Sequence, residues 1–147
     1  MRLKGYIFSR SFMGERAPQH VQNIVIKDFC KNNSFDFLLS VSEYKMKNSF
    51  LILKDLLKKL KSIDGIVAYS LFQLPETLKE RNKVLNIILN KKKIICFAVE
   101  KLEVRTKKDI KKINTLWKIK QSLESNWWNL ETLFKNHPNI AAYMVEP

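Results

Sequence analysis

Glycine and proline are scarce in this chain. Its 147 residues include only 3 Gly and 4 Pro, which excludes long flexible linkers and low-complexity tracts. Two cysteines, Cys30 and Cys96, are too few for a disulfide scaffold and fit a reducing compartment. Both fall in segments of helical or buried-strand pattern, where a thiol is an inert small hydrophobe. No apolar run, the 94–99 stretch included, approaches the ~20 residues needed to span a bilayer. The N-terminus enters a strand pattern with no apolar signal core. The expectation is therefore a cytoplasmic protein without membrane insertion. Phosphate-binding and nucleophile motifs are missing too. There is no G-x-G-x-x-G, no G-x-x-x-x-G-K-[ST] and no G-x-S-x-G, and no Cys/His cluster has zinc spacing. No metal and no cofactor is indicated.

What is present is an ordinary globular composition, 46% apolar and 28% charged, of about one domain's length. Acidic residues number 14 against 27 basic ones, a net charge of +13. That excess invites a nucleic-acid reading. Its distribution speaks against one: lysine supplies the excess, mostly at helix-surface spacing (Lys54, Lys58, Lys79, Lys83, Lys107, Lys111). A solvated basic surface is the simpler account, and nucleic acid is not expected as a partner. The arginines carry more information, because a guanidinium is the better fork for phosphate or carboxylate.

Strand and helix patterns alternate. Residues 3–9 read as a strand and 18–32 as a helix opened by Pro18. Residues 35–41 read as a second strand and 49–62 as a helix with leucines inward and lysines outward. Residues 66–70 form a third strand, 75–90 a third helix and 94–99 a fourth strand. A helix over 107–122 follows. The expected fold is α/β: a parallel, helix-covered sheet of at least four strands with C-terminal helices, because near-continuous apolar strands joined by long crossovers are the mark of buried parallel sheets. The expected division is an α/β domain over 1–123 and a helical extension over 124–147. Trp127, Trp128, Leu133 and Phe134 of the extension pack on the domain or across a homodimer.

In open parallel sheets ligands bind outside the carboxyl ends of the strands. Those ends gather the less common polar residues. The first strand delivers Ser9 and Arg10, its loop Arg16, and the next helix opens with Gln19, His20 and Asn23. The second strand delivers Glu43, the third Tyr69, Ser70 and Gln73, and the fourth Glu100. Arg10 and Arg16 suit an anion beside a helix N-terminus. His20, Glu43 and Glu100 are the proton-handling candidates. Ser9, Gln19, Asn23, Tyr69, Ser70 and Gln73 suit polar groups of a substrate. For each residue alone, a structural hydrogen bond or ion pair is an equally good account; only their convergence points to a site.

Two resemblances add to this reading. Gly5–Arg10, a helix carrying Gln19 and Gln22, and then Ile66–Leu74 resemble the catalytic domain of serine recombinases (resolvases and invertases), over about residues 3 to 100. That family carries Tyr-x-Arg-x-Ser after its first strand and Leu-Asp-Arg-Leu-x-Arg after a later one. Here the first arginine falls on Phe8, the nucleophilic serine on Arg10, and the second pair of arginines on Gln73 and Glu76. The resemblance therefore implies the fold without the strand-exchange chemistry. Secondly, Pro18-Gln19-His20-Val21-Gln22-Asn23 and Tyr69-Ser70-Leu71-Phe72-Gln73-Leu74-Pro75 are similar to sporadic carbohydrate cluster proteins of bacteria, over about residues 5 to 123. That similarity implies work in surface-carbohydrate biosynthesis on a phosphorylated or nucleotide-linked sugar, with a small anionic sugar ligand as partner. The alternative is a non-catalytic resolvase-like protein that binds DNA or a protein partner.

Overall fold

The computed structural model describes residues 1–126, the last three by backbone alone. Five strands form one sheet: β1 (Arg2–Phe8), β2 (Asp36–Glu43), β3 (Gly65–Ala68), β4 (Ile94–Phe97) and β5 (Leu102–Val104). Four helices accompany them: α1 (Gln19–Asn32), α2 (Leu51–Lys58), α3 (Leu78–Asn90) and α4 (Lys107–Asn126). Single 3-10 turns occupy Leu60–Ser62 and Leu71–Gln73. The strand order is β2-β1-β3-β4-β5. The first four are mutually parallel, and β5 returns antiparallel along β4. The expected parallel α/β sheet is thus present, with an added edge strand. A compact unit, Met1–Ile110, holds the whole sheet, and a second begins at Lys111 inside α4.

Strand alternation distributes the core. Leu3 and Ile7 of β1 and Val67 of β3 pack with Ile26, Phe29 and Cys30 of α1 on one face. Tyr6 points to the other face, where its hydroxyl meets Glu43 at the start of α2. Side chains of alternate parity face opposite ways, so α1 and α2 cover opposite sides of the sheet. The register between β1 and β2 slips once, from Lys4↔Leu38 to Tyr6↔Val41, so β2 carries a bulge opposite Gly5. A Cβ on Gly5 would collide with Ser40 of that bulge, including its backbone Cα at 3.0 Å. Glycine is needed here for close approach of two strands. The bulge leaves Leu39 on the edge strand 78% exposed.

Element ends differ from expectation where local chemistry outweighs periodicity. Pro18 precedes α1 as its N-cap, and α3 begins only at Leu78 because Thr77 caps it by accepting from the Glu80 N–H. The Pro75–Thr77 stretch is held by buried Arg81, which donates to the Pro75 and Glu76 carbonyls at 3.1 and 2.9 Å. Burial pulls the Arg81 guanidinium down to about 10. The chain leaves β4 through Lys101, whose φ of 55° makes the reversal into β5. Of the extension expected over 124–147, residues 127–147 lie outside the described residues, and so do its tryptophans. Among the described residues no helix is long and apolar enough to cross a membrane.

Candidate functional site

The strand order reverses at β1, which lies between β2 and β3. That is the topological switch point, the place where open α/β sheets keep their ligands. Of the expected residues, Ser9, Arg10, Gln19, Asn23, Glu43, Ser70, Gln73 and Glu100 fall into three separate hydrogen-bonded groups, and Arg16, His20 and Tyr69 stand outside them.

The first group lies where β1 and β3 diverge. Pairing between them ends at Tyr6↔Ala68. Beyond that point the side chain of Gln22, fully buried on α1, takes over the role of a strand. Its Oε1 accepts from the Phe8 N–H at 3.0 Å, and its Nε2 donates to the Phe8 carbonyl at 2.8 Å and to the Ala17 carbonyl at 2.8 Å. Gln73 Nε2 donates to the same Oε1 at 2.9 Å. Two donor hydrogens and two acceptor positions are thereby all used. Gln73 Oε1 in turn accepts from the Ser70 N–H, completing a capping box on the Leu71–Gln73 turn. Ser70 Oγ donates to Glu100 at 2.8 Å, and the Leu71 N–H donates to the other oxygen of the same carboxylate at 2.8 Å.

The second group lies between β1 and β2. Glu43, only 2% exposed, receives five hydrogen bonds: from the Tyr6 hydroxyl at 2.8 Å, the N–H groups of Tyr44, Ile52 and Leu53 at 3.1 Å each, and Ser49 Oγ at 3.4 Å. Ile52 and Leu53 sit in the first turn of α2, so the carboxylate stabilises the positive end of that helix. Arg10 lies above this group. Its guanidinium donates to the Tyr44 carbonyl at 2.6 Å and the Ser49 carbonyl at 2.9 Å. It also stacks over Phe8 at 4.2 Å and Phe50 at 5.2 Å from the ring centroids. Ser9 Oγ donates to the Glu43 carbonyl at 3.0 Å.

The third group joins α1 to the edge strand. Gln19 Nε2 donates to Ser42 Oγ at 2.8 Å, and Ser40 Oγ donates to Asn23 Oδ1 at 2.6 Å. His20 and Arg16 are exposed on the rim. Arg16 follows a two-residue hairpin in which Phe12 and Glu15 exchange both backbone hydrogen bonds across Met13 and Gly14. Phe12 anchors that hairpin by edge-to-face contacts with Phe8 and Tyr69.

On the β1/β3 side of the edge the carboxylates Glu15 and Glu100 act on their neighbours. Burial pushes Glu100 up from the usual carboxylate range, against hydrogen bonds from the Leu71 N–H, the Ser70 hydroxyl and its own backbone, and the Glu15 charge adds to the rise. Tyr69 is pushed up by burial, then by Glu15 and Glu100. Tyr6 is driven well above the phenol range by burial and by the Glu43 charge. Among the described residues no group of three His, Cys, Asp or Glu side chains is placed to hold a metal ion.

Five side-chain partners in these groups were not among the expected site residues: Tyr6, Gln22, Ser40, Ser42 and Ser49. Gln22 had a signal. It lies four and seven residues before Ile26 and Phe29, on the buried stripe of α1. A polar residue on a helix's apolar stripe has to be hydrogen-bonded.

No family model matches the chain, and no curated protein matches it. The similarity to sporadic carbohydrate cluster proteins therefore gains no support. Solved structures do share the fold. One is described as a resolvase family site-specific recombinase from Streptococcus pneumoniae, with a TM-score of 0.57 at 12% identity, covering 91% of this chain and 97% of that one. Another is the N-terminal catalytic domain of TP901-1 integrase, with a TM-score of 0.52 at 11% identity, covering 82% of this chain and 98% of that one. The expected partners must be corrected accordingly. An anionic sugar ligand, with nucleic acid set aside, conflicts with neighbours described as a site-specific recombinase and an integrase. The reason the sequence misled is physical: lysines at helix-surface spacing look alike whether they face bulk water or phosphates. At these identities the likeness establishes the fold, an α/β sheet of the resolvase catalytic type.

Proposed function

We propose that this chain is a non-catalytic resolvase-fold protein that binds nucleic acid through its basic surface. One observation carries the reading. Arg10 stands where the resemblance to serine recombinases puts the nucleophilic serine, and its guanidinium clamps the Tyr44 and Ser49 carbonyls. The neighbouring hydroxyl, Ser9, is engaged by the Glu43 carbonyl. A phosphodiester exchange needs a free nucleophile and cations on the scissile phosphate. Phe8, Gln73 and Glu76 occupy the three positions of the family's arginines, and Phe8 and Gln73 are buried. The net charge of +13 supports the binding half of the proposal. So do exposed lysines on α4, such as Lys111, Lys112 and Lys118. Within this proposal residues 1–123 are the binding domain and 124–147 its extension.

The test is fluorescence anisotropy with a labelled DNA duplex across a salt series. If four lysines meet phosphates, affinity falls on the order of a hundredfold between 50 and 200 mM salt. Lys111→Glu and Lys118→Glu each lower it, and no covalent protein–DNA adduct accumulates. Absence of binding at the low-salt end, or an adduct trapped on Ser9 or on Ser11, the hydroxyl that follows Arg10, sinks the proposal.

A further inference from the structure

A groove runs between α2 and α3, on the sheet face away from α1. It is made of two adjoining hollows. One, of about 450 Å³, is lined by Phe50 and Lys54 on the α2 side and by Pro75, Thr77 and Val84 on the α3 side. The other, of about 340 Å³, is lined by Leu57, Lys58, Lys83, Val84, Ile87 and Lys91. Lys54, Glu80 and Val84 belong to both, so the hollows are continuous.

The spacing explains the composition. Lys54, Leu57 and Lys58 lie three and four residues apart, as do Glu80, Val84, Ile87 and Lys91, so each helix turns one stripe to the groove. Each stripe alternates apolar floor with basic rim. Leu57 and Val84 are buried and Ile87 is half-buried, while Lys54, Lys58, Lys83 and Lys91 are exposed. Lys91 reaches across the groove, its Nζ donating to the Leu57 carbonyl at 2.7 Å. Four lysines against Glu76 and Glu80 leave the lining net positive, with the positive charge gathered in the second hollow.

We propose that this groove docks an acidic amphipathic helix of a partner protein. The apolar floor selects the occupant's class. Duplex nucleic acid presents phosphates and sugars outward and would leave the floor around Val84 and Ile87 unfilled. A helix with an apolar stripe fills both hollows from one face, with residues at i, i+3, i+4 and i+7 as anchors. The rim selects its charge: four lysines attract acidic flanks and repel a second copy of this cationic chain. The length fits as well. From Thr77 to Lys91 a helix axis advances about 21 Å, enough for roughly four turns of a docked helix. The proposal is independent of nucleic-acid binding, which concerns the surface at large.

The test uses the full chain and a labelled probe peptide of about four helical turns, with leucine at the anchor positions and glutamate elsewhere. Two control peptides replace leucine by serine, or glutamate by lysine. The leucine–glutamate peptide is expected to bind, and both controls to bind at least tenfold more weakly. K58E/K83E and Ile87→Glu are each expected to weaken the probe tenfold or more with an unchanged thermal midpoint. Lys58 and Lys83 are exposed, so the double variant keeps the fold even if Ile87→Glu does not. Equal binding of the serine control overturns the proposal, since it would show charge attraction alone. So does displacement of the probe by duplex DNA in proportion to occupancy, or probe binding unaffected by K58E/K83E. Self-association abolished by Ile87→Glu would assign the groove to a second copy and overturn it too.

Discussion

Replacing Glu43 by alanine isolates what the carboxyl edge of the sheet is built to do. The substitution removes the acceptor of five hydrogen bonds. The buried Tyr6 hydroxyl then lacks its partner, which costs about 1–3 kcal/mol. The first-turn N–H groups of Ile52 and Leu53 lose their capping acceptor, at about 0.5–2 kcal/mol. Together these give a destabilisation of about 2–5 kcal/mol. With a urea dependence of about 2 kcal/mol per molar, the unfolding midpoint drops by roughly 1 to 2.5 M. Glu43→Gln keeps one carbonyl oxygen for the N–H groups of Tyr44 and Ile52. It turns an amide donor toward the Leu53 N–H, and so falls between alanine and the native residue. A double-mutant cycle with Tyr6→Phe should return a coupling of about 0.5–3 kcal/mol. Circular dichroism against urea measures the single variants and the double. A midpoint shift in Glu43→Ala below about 0.5 M, on the same scale, would refute the claim that this carboxylate holds β1, β2 and α2 together. Loss of DNA binding with an unchanged midpoint would give Glu43 back the chemical role that its strand-end position suggested.

Arg10→Lys keeps the charge but loses the fork across the Tyr44 and Ser49 carbonyls and the stack on Phe8; about 1–2 kcal/mol of stability should go with it, read from the same urea curves. Glu100 has a raised pKa in the folded state, so its contribution is fully present below the unfolded-state value and is lost as pH rises through the folded one. The stability of the native chain relative to Glu100→Gln should therefore fall as pH rises above the ordinary glutamate range, and a flat difference across that window would contradict the assigned burial. Met13 sits at φ 48° in the two-residue turn before Arg16. Met13→Asn relieves that left-handed strain and should stabilise by about 0.5–1 kcal/mol, whereas a lower thermal midpoint would show that the methionine side chain packs against something of value.

The parallel sheet was legible because its determinants are local in sequence. Apolar runs such as Gly65–Ala68 and Ile94–Phe97, each spaced by a helix-length crossover, admit few other topologies. Strand β5 was not legible: three residues after a reversal at Lys101 carry no periodicity, and only pairing with β4 makes Leu102–Val104 a strand. The helix starts slipped for a related reason, since a cap such as Thr77 is chosen by hydrogen-bond geometry rather than by the apolar pattern.

For the carboxyl edge, the sequence by itself pointed to which polar residues stand at the strand ends, because strand ends follow from pattern. What each would do was decided only by tertiary structure. Arg10, Glu43, Gln73 and Glu100 have the same residue types whether they face a ligand or a neighbouring main chain. The choice depends on which backbone groups the sheet leaves unpaired. The divergence of β1 from β3 beyond Tyr6 exposes the Phe8 peptide to Gln22, and the start of α2 presents its N–H groups to Glu43. Those vacancies arise from elements distant in the chain meeting in space. A buried polar group must be satisfied wherever the fold happens to leave it.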